Sequence, residues 1–250
     1  TIKWVMTALL ALVLFYTILG GMFSIVLTDY VQFVVLSVGL IVTTLFALNE
    51  LGWEHIVKGV ESLKGEGGFD PIASGEFGTD YVIWMVFGGL VSCAIWQTAV
   101  MRACSAHSAE DVKRIYTWSS IGFLIRFLIP NFIGLCALVY FADNPDLFSE
   151  DPEGTGVTSL HAMPRFLGIL LPSGLLGLVA AGMLAAFMST HDSYLLCWSS
   201  VLTQDVIAPL GGDRMSTGSR LRLTRLLIFV IGIFLLVWSL WYDLGQDLWD

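Results

Sequence analysis

The chain has 250 residues, of which 56% are hydrophobic and only 13% charged, and its mean hydropathy is +0.78. A soluble domain carries roughly a quarter charged residues, so this composition excludes an ordinary soluble enzyme or binding module and places the chain in a lipid bilayer. The formal charge of −9 is no sign of a spread acidic surface, because the acids collect in two loops, and no nucleic-acid partner is expected.

Taken in chain order, Thr1-Ile2-Lys3 runs straight into an apolar segment with no small-residue cleavage site, so no removable signal peptide is read there. With no initiator Met and an end in a fresh polar patch at Asp250, the chain reads as an internal piece of a longer protein. A spanning helix needs about 20 mostly apolar residues. Six segments meet or approach that length: about 4–21, 24–48, 81–101, 119–141, 173–203 and 226–242. Gly20-Gly21 predicts a tight turn between the first two. None alternates with the period of a barrel strand, and a backbone in hydrocarbon must satisfy itself internally, so the expected fold is all-α. The 49–80 loop is rich in Gly and predicts one short interfacial helix near Trp53–Leu63. The four cysteines (93, 104, 136 and 197) are scattered without a CxxC pair and read as small buried apolar residues.

Lys and Arg set the orientation. The 102–118 and 204–225 loops hold Arg102, Lys113, Arg114, Arg214, Arg220, Arg222 and Arg225. The opposite loops, 49–80 and 142–166, hold only Lys58, Lys64 and Arg165, beside twelve carboxylates. Seven against three places the first pair in the cytoplasm and residue 1 outside.

An ionisable residue inside a span costs about 2.5–3.5 kcal/mol on insertion scales and asks for a function. Asp29, Arg126 and Asp192 are the three cases. Asp29 lies five residues after Ser24, where a helix dipole favours an acid; Arg126 reads as structural, by snorkelling or pairing. Residues 180–205 carry Ser189, Thr190, His191, Asp192 and Ser193 in one polar run. Positions 182, 186, 189, 193, 196, 200 and 203 advance by three or four and form one face of small and hydroxyl residues. Such a face suits a tight helix pair, but a packing seam has no need of Asp192. Hydroxyls, carbonyls and a carboxylate are also suitable ligands for a hard cation such as Na⁺. Both readings stand on spacing alone.

At these residues the chain resembles a known family. "LLGLVAAGMLAAFMSTHDSYLLCWSSVLTQDV" is similar to the "GL..AG.LAA.MST.DS.L...SS....D" signature of the sodium:solute symporter family, and most closely to its proline- and pantothenate-like members. "YTILGGMFSIVLTDYVQFVVL" resembles that family's "YT..GG..AV..TD..Q" passage, and "FGGLVSCAIWQTAVMRACSAHSAEDVKR" is a looser third match. The resemblance implies a polytopic bundle of the LeuT-like type, two inverted repeats with sites between broken helices. This piece would then be one partial transporter domain, core helices four to nine over residues 1–250, without core helices one and ten. It further implies a sodium site made of the Ser189 and Thr190 hydroxyls and the Ala186 carbonyl. Asp29, Asp192 and Ser193 are implied as a second sodium site or ion path, and Trp96 as part of a substrate gate, although "IWQTAV" departs from the family pattern there. His191 stands where members more often carry a small or apolar residue.

The implied function is sodium-coupled uptake of a small organic solute by alternating access, in a multi-pass protein of the cell membrane, with Na⁺ and the solute as partners. The rival reading is a transporter-like sensor module of a signalling protein. An intramembrane enzyme is disfavoured, since contiguous His191, Asp192 and Ser193 do not face one another on a helix, and no loop resembles a channel's selectivity filter.

Overall fold

The computed structural model describes residues 2–72, 78–147, 159–211 and 215–241. All regular structure among them is helical. The elements are α1 (Ile2–Leu51), α2 (Trp53–Lys64), α3 (Gly78–Ile95), α4 (Gln97–Cys104), α5 (Ala109–Asp143), α6 (Ser159–Leu170), α7 (Ser173–Val201), a widened π-type turn (Leu202–Ile207), α8 (Ala208–Leu210) and α9 (Thr217–Trp241). Among the described residues, five helical stretches are long and apolar enough to cross a bilayer. The first of them, Lys3–Leu51, covers the stretches expected as two separate segments. Forty-nine residues at about 1.5 Å each exceed twice the hydrocarbon thickness. The Gly20-Gly21 pair divides that length: Gly21 is non-helical at φ 54° and ψ −141°, a conformation open to glycine and strained for other residues.

Three elements differ from expectation. The 81–101 segment is broken, because Trp96 leaves the helix at φ −69° and ψ 101° and separates α3 from α4. Helix α5 begins at Ala109, ten residues before its apolar stretch, since Ser108 caps it by accepting the Asp111 N–H at 3.1 Å, with Glu110 and Asp111 in the first turn. Hydropathy registers only the part of a helix that lies in lipid. Helix α6 occupies a stretch read as loop; its apolar residues Phe166 and Leu167 are buried. The short helix expected near Trp53–Leu63 is α2.

The chain forms two compact units: residues 35–182, and residues 1–34 with 183–250. In the 35–182 unit, α2 packs on α5 through Ile56 and Val60, with Glu54 and Lys58 paired on its outer side at 2.6 Å. A core of Ala47, Ile56, Ile133, Cys136, Phe166 and Leu171, among others, joins the end of α1 to α2, α5 and α6. Small residues permit two close crossings of α1 and α7 here. A Cβ on Gly182 would stand 3.2 Å from the Leu36 Cα, and one on Gly39 would stand 3.6 Å from the Val179 Cα. Cys136 and Cys197 are buried as expected, whereas Cys93 and Cys104 are exposed and so are not core residues. Their helical stretch, Gly78–Cys104, buries little of its surface within this chain.

In the other unit, α9 meets the first part of α1, where a Cβ on Gly232 would collide with the Leu14 side chain. The Lys3 ammonium donates to the Leu240 carbonyl at 3.2 Å. Arg126 is exposed on α5, four residues before Pro130.

The glycine contacts give a direct test of the packing. A Cβ on Gly59 would lie 2.6 Å from Val139 Cγ1, a stiff branched side chain on α5. Gly59→Leu is expected to destabilise the 35–182 unit by about 1–3 kcal/mol, the usual cost of overpacking. Gly88→Ala, which meets open space, should leave stability near wild type. Thermal unfolding of the purified protein in detergent compares the two; equal melting temperatures would contradict the α2–α5 contact.

Candidate functional site

The polar run lies in the second half of α7, whose sequence around "MLAAFMST" is Ala- and Met-rich and keeps the helix regular. Two hydroxyls converge on one carbonyl. Ser189 Oγ donates to Ala186 O at 3.0 Å and Thr190 Oγ1 donates to the same oxygen at 2.9 Å. Each hydroxyl has one proton and two lone pairs. With the protons turned to the carbonyl, the lone pairs are left for another electron-poor partner. Ser189 is half-buried and Thr190 exposed, so both oxygens are reachable. Back-bonding of this kind occurs in ordinary helices; two neighbouring hydroxyls sharing one carbonyl on a half-open face is the narrower observation.

One turn on, Asp192 has a relative exposure of 0% and Ser193 of 5%. Tyr16 Oη on the first part of α1 donates to Asp192 Oδ2 at 2.6 Å, and Ser193 Oγ donates to Asp192 Oδ1 at 3.1 Å. Burying a carboxylate without such donors costs several kcal/mol, so these two hydroxyls, with the Ser193 backbone N–H, hold it in place. Asp29 lies within electrostatic range of both Tyr16 and Asp192. Its Oδ1 is shut off from solvent, and it stands eight positions beyond the Gly21 break, past the first turn where a helix dipole would account for it. Beside it, Thr28 Oγ1 donates to the carbonyls of Ser24 and Ile25 at 2.9 and 3.0 Å.

His191 turns back on its own helix. Its Nδ1–H donates to Phe187 O at 2.8 Å, and its ring lies 4.0 Å from that of Phe187. The buried stripe below runs through Asp192, Leu195, Ser199 and Thr203. Ser199 is buried there, whereas Ser200, placed by its spacing on the small and hydroxyl face, is half-buried. The helix then widens at Leu202–Ile207, where Thr203 Oγ1 donates to Ser199 O at 2.8 Å and accepts from Thr224 of α9 at 3.1 Å. Arg220 adds a second link to this turn through Gln204 Oε1 at 2.6 Å.

Ala186, Ser189, Thr190, Asp192, Ser193 and Asp29 all belong to the unit of residues 1–34 and 183–250. Trp96 belongs to the other unit, at the break between α3 and α4. Its carbonyl accepts from the N–H groups of Ala99 and Val100 at 3.0 and 3.1 Å. Thr98 beside it is buried, and its Oγ1 has no hydrogen-bond partner among the described residues. Tyr16 is the residue that reading the sequence missed. The available signal was a phenol in an apolar span, because a buried tyrosine hydroxyl requires a partner.

Residues 2–248 match the sodium:solute symporter family. The chain is 25% identical over 252 residues to the sodium/sialic acid symporter SiaT of Proteus mirabilis, covering 96% of this chain and 49% of that protein. It is 25% identical to sodium/proline symporter 2 of Staphylococcus saprophyticus, over 95% of this chain and 45% of the relative. With sodium/glucose cotransporter 1 of the mouse the identity is 27%, over 79% and 34%. A solved structure of a Na⁺-coupled sialic acid symporter, substrate-bound and outward-open, superposes with a TM-score of 0.80 at 23% identity, over 92% of this chain and 49% of that one. That likeness shows a shared fold. The chain spans about half or less of the length of these relatives. The chain belongs to the sodium:solute symporter family.

Proposed function

We propose that this chain is the partial transport domain of a sodium-coupled secondary transporter that carries a small organic solute across the cell membrane by alternating access. The observation that carries the reading is the convergence of Ser189 and Thr190 on the Ala186 carbonyl. Three neutral oxygens, two with free lone pairs on a half-open helix face, match what a small hard cation takes from a protein. Sodium is cargo here. The carboxylates of Asp29 and Asp192, with Ser193, form a second sodium site or the ion's path, and they supply the negative potential that neutral ligands lack. Residues 1–250 correspond to core helices four to nine of a LeuT-like inverted-repeat bundle with six spans, the Gly21 break separating the first two. The helix break at Trp96 supports its place at a substrate gate, since interrupted helices line the sites of such transporters.

The relatives' names cover sialic acid, choline, glucose, myo-inositol and proline, so family membership leaves the solute's chemistry broad. The motif likeness makes proline- and pantothenate-type solutes the first to test.

Removing one neutral ligand leaves the ion short of an oxygen where water does not freely replace it. A contact of about 1.5–3 kcal/mol to a charged partner corresponds to about a ten- to hundredfold change in affinity. Ser189→Ala and Thr190→Ala in the full-length protein should each weaken ²²Na⁺ binding by that factor, and Thr190→Ser, which keeps the oxygen, should be milder. Normal sodium affinity in both alanine variants would reduce the hydroxyls to packing groups.

Orientation has its own test. With Cys93 and Cys104 replaced by serine, a cysteine at exposed Glu61 should react with an impermeant thiol reagent applied outside, and one at exposed Ser216 should not. The reverse pattern would invert the topology.

A further inference from the structure

We infer that Tyr16 is a positioning residue of the ion site, clamping Asp192 by one carboxylate oxygen so that the other is left to engage the cation. This rests on the reading of Asp192 and Ser193 as ion-site residues.

The hydrogen bonds to Asp192 are unequal: beside the two hydroxyls, the Ser193 backbone N–H also donates to the carboxylate. The Tyr16 contact, 2.6 Å to Oδ2, has the length of a charge-assisted O–H···O⁻ bond. The Ser193 contact, 3.1 Å to Oδ1, lies beyond the usual O–H···O range of about 2.5–3.0 Å. Of the two hydroxyl contacts, the one to Oδ2 is therefore the firmer. Ser193 is also the immediate chain neighbour of Asp192, so its hydroxyl can turn without moving a helix. Once turned, it presents a lone pair in place of a proton and frees Oδ1 at the same time. Tyr16 has no such freedom. It reaches Asp192 from α1, 176 residues earlier in the chain, and its hydroxyl sits at the end of a rigid ring. A carboxylate pinned at one oxygen cannot spin about its terminal torsion, which is otherwise broad and roughly two-fold. The remaining oxygen then points in one direction before the ion arrives, and less ordering remains to be done on binding.

The consequence is specific to sodium. Tyr16→Phe keeps the ring and removes only the hydroxyl, leaving Asp192 without its firmest restraint. In the full-length protein, ²²Na⁺ binding should weaken about tenfold, a change of about 1.4 kcal/mol. The sodium-induced rise in melting temperature, measured against N-methyl-D-glucamine, should shrink accordingly. Because each variant is compared with its own sodium-free state, any general loss of stability drops out. Asp192→Asn and the Tyr16→Phe/Asp192→Asn double variant complete a cycle. If Tyr16 acts through Asp192, the double variant should bind sodium within about twofold of Asp192→Asn alone, since coupled residues are not additive.

Wild-type sodium binding in Tyr16→Phe, alongside weakened binding in Asp192→Asn, would overturn the clamp and leave the ion site standing. So would a lowered sodium-free melting temperature with an unchanged sodium shift, or additive effects in the double variant. Unchanged sodium binding in Ser189→Ala, Thr190→Ala and Asp192→Asn together would remove the site itself, and the clamp with it.

Discussion

The burial of Asp192 is the constraint on which the unit of residues 1–34 and 183–250 depends. A carboxylate with no exposed surface on a largely apolar helix needs donors, and its own helix supplies only those of the neighbouring Ser193 among the bonds described. Ser193 reaches one oxygen at the long end of the range, and the strong donor comes from Tyr16 on α1. Two segments distant in sequence are therefore tied by one short hydrogen bond in a region where a missing partner is expensive. The remaining contacts of the unit, such as Gly232 under Leu14 and Thr224 on Thr203, bring α9 against the same pair.

Among the described residues, the membrane-length stretches depart from regular α-helix at three places. Gly21 adopts a positive φ that its missing Cβ permits. At Trp96 the backbone turns extended for one residue, and the next helix starts by bonding back to the Trp96 carbonyl. At Leu202–Ile207 the helix widens, and Thr203, Thr224, Gln204 and Arg220 take up the local polar groups. Backbone polar groups freed inside a bilayer must find protein partners. Turns of the π type also gather at functional sites, and this one lies three turns below the hydroxyl pair on a single continuous helix.

Trp84, Phe87, Leu90, Phe123 and Phe127 all lie more than half exposed on α3 and α5. In water so much apolar area would drive association, whereas close contact between helices comes from small residues. Gly39, Gly59, Gly182 and Gly232 each sit where a neighbouring helix approaches within a side chain's width. The hydrogen bond between His55 Nε2 and Asp143 Oδ2 at 2.7 Å, both residues about half exposed, adds little by comparison.

Much was legible in the sequence because it depends on local chemistry. Hydropathy and span length determined the all-α membrane class, and Gly20-Gly21 marked the division of the first long helix. The family resemblance carried by the "MSTHDS" run implied Ala186, Ser189, Thr190, Asp192 and Ser193 as candidate residues, and the Ser189 and Thr190 hydroxyls do meet the Ala186 carbonyl within a single helical turn. Tertiary structure alone decided the rest. It brought Tyr16 to Asp192 and set Asp29 within range of both, because contacts across 176 residues leave no periodic trace in the chain. It broke the 81–101 segment at Trp96 and turned Ser199 rather than Ser200 inward, since one residue of helical phase is fixed by the neighbour that packs against it. Residue types and spacing determine which groups share a helix face; only the fold determines which of those groups meet a partner.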